Sequence, residues 1–71
     1  MMGHTFTAIT KQDDDWWIGW IEEIPGVDCQ ERTREELNES LKITLKEALE
    51  FNRAEAKKAA APNYTEELVT V

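Results

Sequence analysis

The chain has 71 residues, one cysteine (Cys29), and 15 acidic against 8 basic side chains, for a formal charge of −7. A chain of this length builds one small domain with a thin core, so we expect oligomerisation or a partner to help stabilise it. The acidic balance argues against binding a phosphate backbone and favours a basic partner. No intrachain disulfide can form, and no apolar run predicts a secretion signal or a membrane span. A cytoplasmic protein is therefore expected.

The first predicted element is a β-hairpin whose second strand is apolar. Residues 5–11 combine β-branched, aromatic and small side chains and predict a strand, and the acidic stretch 12–15 predicts a turn. The second strand, Trp16–Ile21, contains no charge. Because side chains alternate between the faces of a strand, its two faces are Trp16, Ile18 and Trp20, and Trp17, Gly19 and Ile21. A single helix covers only one face, so the other is expected to meet a second chain or to stay exposed.

The next segments predict a turn, a short strand and the start of a helix. Pro25 and Gly26 end the second strand, and residues 27–32 predict a short third strand. Thr33 and Glu36 have the spacing of a capping box, in which Thr33 accepts from an amide one turn on and Glu36 reaches back to the amide of Thr33. The helix is predicted to continue until Pro62 stops it.

The helix has one apolar stripe that predicts how it packs on the sheet. At about 100° per residue, the stripe contains Leu37, Leu41, Thr44, Leu45, Ala48 and Phe51. Ile43 falls on the opposite side. Residues 64–71 alternate enough to predict a last strand. The predicted order is β-β-β-α-β, an α+β fold in which a right-handed crossover gives the sheet order 3-2-1-4, with the helix on one face.

The side chains that could support catalysis or metal binding form no convincing site. Asp13–Asp15, with Glu22 and Glu23, could suggest a divalent-ion site, but consecutive acids point in different directions and lack the spacing of a calcium loop. A solvated turn explains them better. His4 and Cys29 could be imagined as a base and a nucleophile, yet neither has a supporting motif. We therefore expect no enzyme activity, no metal and no cofactor, and a packing role for Cys29.

The tryptophan cluster has three interpretations: a core, a platform for stacking nucleic-acid bases, or a protein contact. Base stacking normally comes with basic residues beside the aromatic rings. Here ten acids against two arginines lie between Asp13 and Glu39. Core and protein contact remain open, and aromatic rings with acidic neighbours suit a basic protein partner. The candidate partner-binding residues are Asp13, Asp14, Asp15, Trp16, Trp17, Trp20, Glu22 and Glu23.

The order and spacing of these segments match those of a known family. The matching segments are Phe6–Ile9, the acidic hairpin, Trp16–Ile21, Glu23–Val27, the Thr33 cap and the helix start Glu36–Leu41. Together they resemble the HicB-like antitoxin family over nearly the whole chain. The most specific part is the Glu-Ile-Pro-Gly turn, followed after a short strand by the threonine-capped helix.

The resemblance implies that residues 1–71 form a single HicB-like domain with a small, partial ribonuclease-H-like two-layer fold. It also implies a function, which is to neutralise a small basic mRNA-cleaving toxin of the HicA type. Many family members add a carboxyl-terminal DNA-binding module. We expect no such module in this chain, and therefore no direct nucleic-acid binding. The alternative is an orphan homo-oligomer of the same fold, a dimer or tetramer with a structural or regulatory role and no cognate toxin.

Overall fold

The computed structural model describes residues 5–70, which form a three-stranded antiparallel sheet with one long helix packed on one face. The elements in chain order are β1 (Ala8–Asp13), β2 (Trp16–Ile21), β3 (Asp28–Glu31) and α1 (Arg34–Ala60). The strands lie side by side in the order β1-β2-β3. The predicted α+β class is thus confirmed. Across residues 5–70, no helix combines the length and the apolar character that crossing a membrane requires.

β1 and β2 are joined by a turn of only two residues. Asp13 pairs with Trp16, and Asp14 in the turn has φ 59°, a left-handed conformation that aspartate tolerates. β1 therefore covers residues 8–13 and not the predicted 5–11. Residues 12 and 13 belong to the strand because two residues suffice to reverse the chain. β3 is likewise shorter than the predicted 27–32.

The helix packs on the face of β2 that contains Gly19, because a residue without a side chain leaves room for it. A Cβ atom at Gly19 would lie 3.0 Å from the carbonyl oxygen of Ile9, and 3.1 Å from both Leu37 Cδ2 and Leu41 Cδ1. This close approach seals a small core under the helix. The buried residues of that core are Ile21, Val27, Leu37 and Leu41.

The amino-terminal cap of α1 is confirmed, with one difference in its hydrogen bonds. Thr33 Oγ1 accepts from the backbone N–H of Glu36 at 3.1 Å, as predicted. The Glu36 carboxylate accepts from the Thr33 hydroxyl at 3.1 Å, whereas the sequence predicted a bond from the Thr33 amide. α1 ends at Ala60, before Pro62, as expected from the missing N–H of proline.

The apolar stripe of α1 is confirmed at its amino-terminal end and wrong at its other end. Leu37 and Leu41 are buried and Leu45 packs against the core, but Phe51 is 64% exposed. The reason is length, since α1 spans about 40 Å and a six-residue strand about 20 Å. The carboxyl-terminal part of α1 therefore projects beyond the sheet. Ile43, predicted on the opposite side, is 54% exposed.

Residues 64–70 form no strand, so the predicted fourth strand and the order 3-2-1-4 are not confirmed; Val71 lies outside the described residues. The segment returns along the projecting part of α1. Glu66 lies 3.9 Å from Arg53 and 3.5 Å from Lys57. Leu68 lines the same cavity as Phe6, two residues before β1 begins. The segment is therefore not beside the edge of β1 where a fourth strand would pair.

Candidate protein-binding site

The face of the sheet that α1 leaves uncovered, here called the open face, has an apolar centre. The register places Ile9 opposite Trp20 and Lys11 opposite Ile18. Trp20 is 40% exposed, and the other apolar residues of this face are half-buried. The open face consists of Ile9, Lys11, Asp13, Trp16, Ile18, Trp20, Asp28 and Gln30, with Arg32 just after β3.

Arg32 partly covers one tryptophan of the open face. Its guanidinium carbon lies 4.0 Å from the centroid of the Trp16 ring, close enough for a cation–π contact. On the other face of the sheet, Arg34 lies 5.8 Å from the centroid of the Trp17 ring. Because Arg32 lies over Trp16, Trp20 is the aromatic ring of the open face that a partner reaches most directly.

Acidic side chains stand at both ends of the open face. Asp13–Asp15 are exposed at the hairpin end, and Glu22 and Asp28 are exposed at the opposite end. A six-residue strand separates the two groups by about 20 Å. Two positive charges balance part of this charge: Lys11 lies between the two groups, and Arg32 lies over Trp16 at the hairpin end. The face is therefore apolar in the middle and acidic at its ends.

Glu23 has a structural contact within the chain. Its carboxylate accepts a hydrogen bond from the backbone N–H of Thr7 at 2.8 Å, and this bond lowers the pKa of Glu23. Beside it, the N–H of Glu22 donates to the carbonyl of Thr7 at 2.9 Å. Together the two bonds fasten the turn after β2 to the chain that leads into β1.

The eight residues predicted to bind a partner do not all lie on the same surface. Trp16 and Trp20 lie on the open face, whereas Trp17 lies on the helix-covered face and packs against the core. The acids lie at the two ends of the sheet and not in one cluster.

Six members of the open face were not among the predicted site residues: Ile9, Lys11, Ile18, Asp28, Gln30 and Arg32. The signal for two of them is the hairpin register. A two-residue turn places Ile9 opposite Trp20 and Lys11 opposite Ile18. Arg32 follows the same period of two along the third strand, two residues after Gln30.

A surface concavity beside Trp20 adds depth to this site. It has a volume of about 450 Å³ and is lined by Trp20, Ile24, Pro25 and Val27 together with neighbouring turn residues. Gly26, with φ 90°, makes the turn that shapes it. An apolar side chain of a partner would fit here next to the indole ring.

The acids, Cys29 and His4 are the remaining side chains considered above as candidates for metal binding or catalysis. Within residues 5–70, no three histidine, cysteine or acidic side chains are arranged to hold a metal ion. Cys29 is half-buried between β3 and α1, with its Sγ 3.5 Å from Thr44 Oγ1, which is a packing position. His4 lies outside the described residues.

Comparisons of the chain with protein-family models, with curated proteins and with solved structures give no match.

Proposed function

We propose that this chain is an acidic protein-binding module, a cytoplasmic antitoxin of the HicB-like type that neutralises a small basic mRNA-cleaving toxin of the HicA type. The observation that supports this most is the open face, an apolar band with acids at both ends. Such a surface suits a cationic partner that brings its own apolar anchor. The chain acts by covering the toxin's active surface, and it needs no cofactor and no catalysis of its own.

Two parts of the surface have different roles in this binding. Trp20, with the concavity beside it, is the anchor, because tryptophans in desolvated pockets dominate the energy of many interfaces. The exposed acids act during the encounter of the two proteins, before the apolar contact forms. Opposite net charges attract over distance and speed the encounter, while adding less to the final affinity.

The partner is identified by co-expressing the chain with the basic protein encoded beside its gene, scored by growth rescue and co-purification at low salt. Within that complex, Trp20→Ala is expected to accelerate dissociation. Ile43→Ala is the matched control, since Ile43 is an exposed apolar residue of α1, on the side of the helix opposite its core-facing stripe. Equal effects of the two substitutions would contradict the assignment of the open face.

The role of the charges is tested separately by association kinetics. Replacing Asp13, Asp14 and Asp15 by asparagine is expected to slow association, with a weaker salt dependence, because exposed charges are screened beyond about 8 Å at physiological ionic strength. Asparagine also tolerates the left-handed backbone of Asp14. The control removes three charges from the exposed surface of α1, by Glu39→Gln, Glu50→Gln and Glu55→Gln. A control that slows association equally would show that only net charge matters.

We also propose that the complete sheet is ribonuclease-H-like, with the strand order 3-2-1-4. In a ribonuclease-H-like sheet of order 3-2-1-4, a fourth strand pairs with the outer edge of β1, and that edge is unpaired within residues 5–70. The alternative function, an orphan homo-oligomer, uses the same uncovered face and edge for self-association. It becomes the better account if no toxin gene adjoins this one, or if the pair fails to co-purify.

A further inference from the structure

A groove runs between the outer edge of β1 and α1, in the place where a fourth strand would lie. It has a volume of about 370 Å³. Its floor is apolar, and Lys42 is the only charged residue among the described residues that line it. The floor residues are Phe6, Ala8, Ile21, Leu41 and Leu45.

The backbone at this edge is ready to pair with another strand. The N–H of Glu22 donates to the carbonyl of Thr7, which places the odd-numbered residues of β1 in hydrogen bonds with β2. Ala8, Thr10 and Gln12 therefore direct their N–H and C=O groups outward. A strand edge of this kind, beside an apolar groove, accepts an extended segment by backbone pairing.

Residues 64–70 have the properties of such a segment. They form no helix, strand or turn and are exposed, with Leu68 and Val69 at 102% and 87%. Exposed ion pairs from Glu66 to Arg53 and Lys57 hold the segment beside the projecting part of α1, and pairs of this kind contribute little. The segment can therefore leave this position at low cost.

The segment does not reach the groove of its own chain. α1 continues for two turns beyond Asn52, about 12 Å, and the segment must first run back along that length. Leu68 is then level with Phe6, before β1 begins. Within its own chain the segment therefore lines the cavity next to Leu49 and Asn52, whereas the segment of a neighbouring molecule can enter the groove without any change in α1.

We propose that residues 64–70 of a second copy fill this groove, and that the exchange is reciprocal, giving a two-fold symmetric dimer. Alternate side chains of the segment face the groove. Leu68 enters the apolar floor, and Glu66, about 6.6 Å before it along a strand, faces Lys42 at the lip. Each sheet then gains a fourth strand from its neighbour, and the open face stays free.

The first test is the mass of the chain in solution. The wild type is expected to sediment at twice 8.2 kDa across micromolar concentrations, and Leu68→Asp at 8.2 kDa. Leu68 is fully exposed in the single chain, so this substitution cannot unfold it. Thr65→Asp adds the same charge on the other side of the segment and is expected to remain dimeric. A monomeric wild type, or a dimer that persists in Leu68→Asp, overturns the proposal.

The second test exchanges the charges of the expected pair. Lys42→Glu and Glu66→Lys each place like charges together in a homodimer and are expected to raise its dissociation constant by about tenfold or more. Mixing the two variants restores both opposite-charge pairs, so the mixed dimer is expected to predominate, as seen by native mass spectrometry. A mixture that forms no more mixed dimer than chance overturns the pairing of Glu66 with Lys42.

The third measurement distinguishes a groove filled by the segment of a second copy from a groove filled by the chain's own segment. The outward amide of Thr10 is expected to exchange slowly with solvent in the wild-type dimer and quickly in Leu68→Asp. Slow exchange at Thr10 in a monomeric wild type would place the segment in its own groove, which overturns the assignment to a second copy.

Discussion

Gly19→Ala tests the closest contact between the sheet and the helix. The added methyl group would lie 3.0–3.1 Å from the Ile9 carbonyl and from two leucine methyl groups, and the backbone oxygen cannot turn aside. Overfilling a packed core costs about 1–3 kcal/mol, while replacing glycine in the unfolded chain returns about 0.4–1 kcal/mol. The midpoints of these ranges give a net loss of about 1.3 kcal/mol, against a total stability of about 4–10 kcal/mol for a chain of this length.

The assay is urea unfolding of the variant followed by circular dichroism, together with the thermal midpoint, which should fall by about 4–8 °C for each kcal/mol. A double-mutant cycle gives the control. In a Leu41→Ala background one of the three close contacts is gone, so Gly19→Ala should cost at least about 0.5 kcal/mol less. Gly26→Ala, whose Cβ would meet nothing within 4 Å, should show no such coupling. An unchanged or raised stability of Gly19→Ala would refute the packing described for α1.

Three further predictions concern stability. Leu41→Ala is expected to cost about 2–5 kcal/mol because Leu41 is buried, whereas Ile43→Ala, on the exposed side of the same helix, should cost under about 1 kcal/mol by urea unfolding. The hydrogen bond from Thr7 lowers the pKa of Glu23 in the folded chain. This bond therefore stabilises the fold at pH values above the ordinary carboxyl pKa. Its contribution disappears as the pH falls through the lowered pKa of Glu23. The stability difference between the wild type and Glu23→Gln should therefore be present at neutral pH and vanish in acid; a difference that persists unchanged in acid would contradict this. Thr33→Ala removes the cap of α1 and should cost about 1 kcal/mol, and no loss would mean that the cap contributes nothing.

Local patterns in the sequence predict the parts of this fold that depend on local chemistry. The capping box at Thr33 and the alternation along β2 both appear in the structure because each is determined by a few neighbouring residues. Phe51 illustrates the limit. Its position in the apolar stripe follows from the helical period, but its exposure depends on where the sheet ends, which the helix sequence does not contain. Residues 64–70 show the same limit, because alternation predicts a strand without supplying a partner edge.

In the candidate site, the sequence pattern of β2 does not by itself show which of its side chains are available to a partner. The two faces of β2 follow from alternation alone, but which face α1 covers does not. Gly19 indicates which face α1 covers, because a face with a residue that has no side chain lets the helix approach closely. The consequence is that Trp17 belongs with the core and Trp16 and Trp20 with the open face.

The proposed dimer and the proposed toxin contact use different surfaces. The groove lies at the outer edge of β1, beside α1, whereas the open face lies on the opposite side of the sheet. A dimer formed through the groove therefore presents two open faces. Such a dimer would bind two toxin molecules, and self-association and toxin binding would be independent of each other.

The placement of the three indole rings gives the chain its own optical probes. Trp17 lies against the core, so its emission should respond to unfolding, since unfolding transfers the ring to water. Trp20 stands on the open face, and its emission should respond when a partner displaces solvent from it. Trp16, with a guanidinium over its ring, is held in a third environment. Variants that keep one tryptophan at a time would let a single spectrometer follow folding and complex formation separately, without attaching a dye.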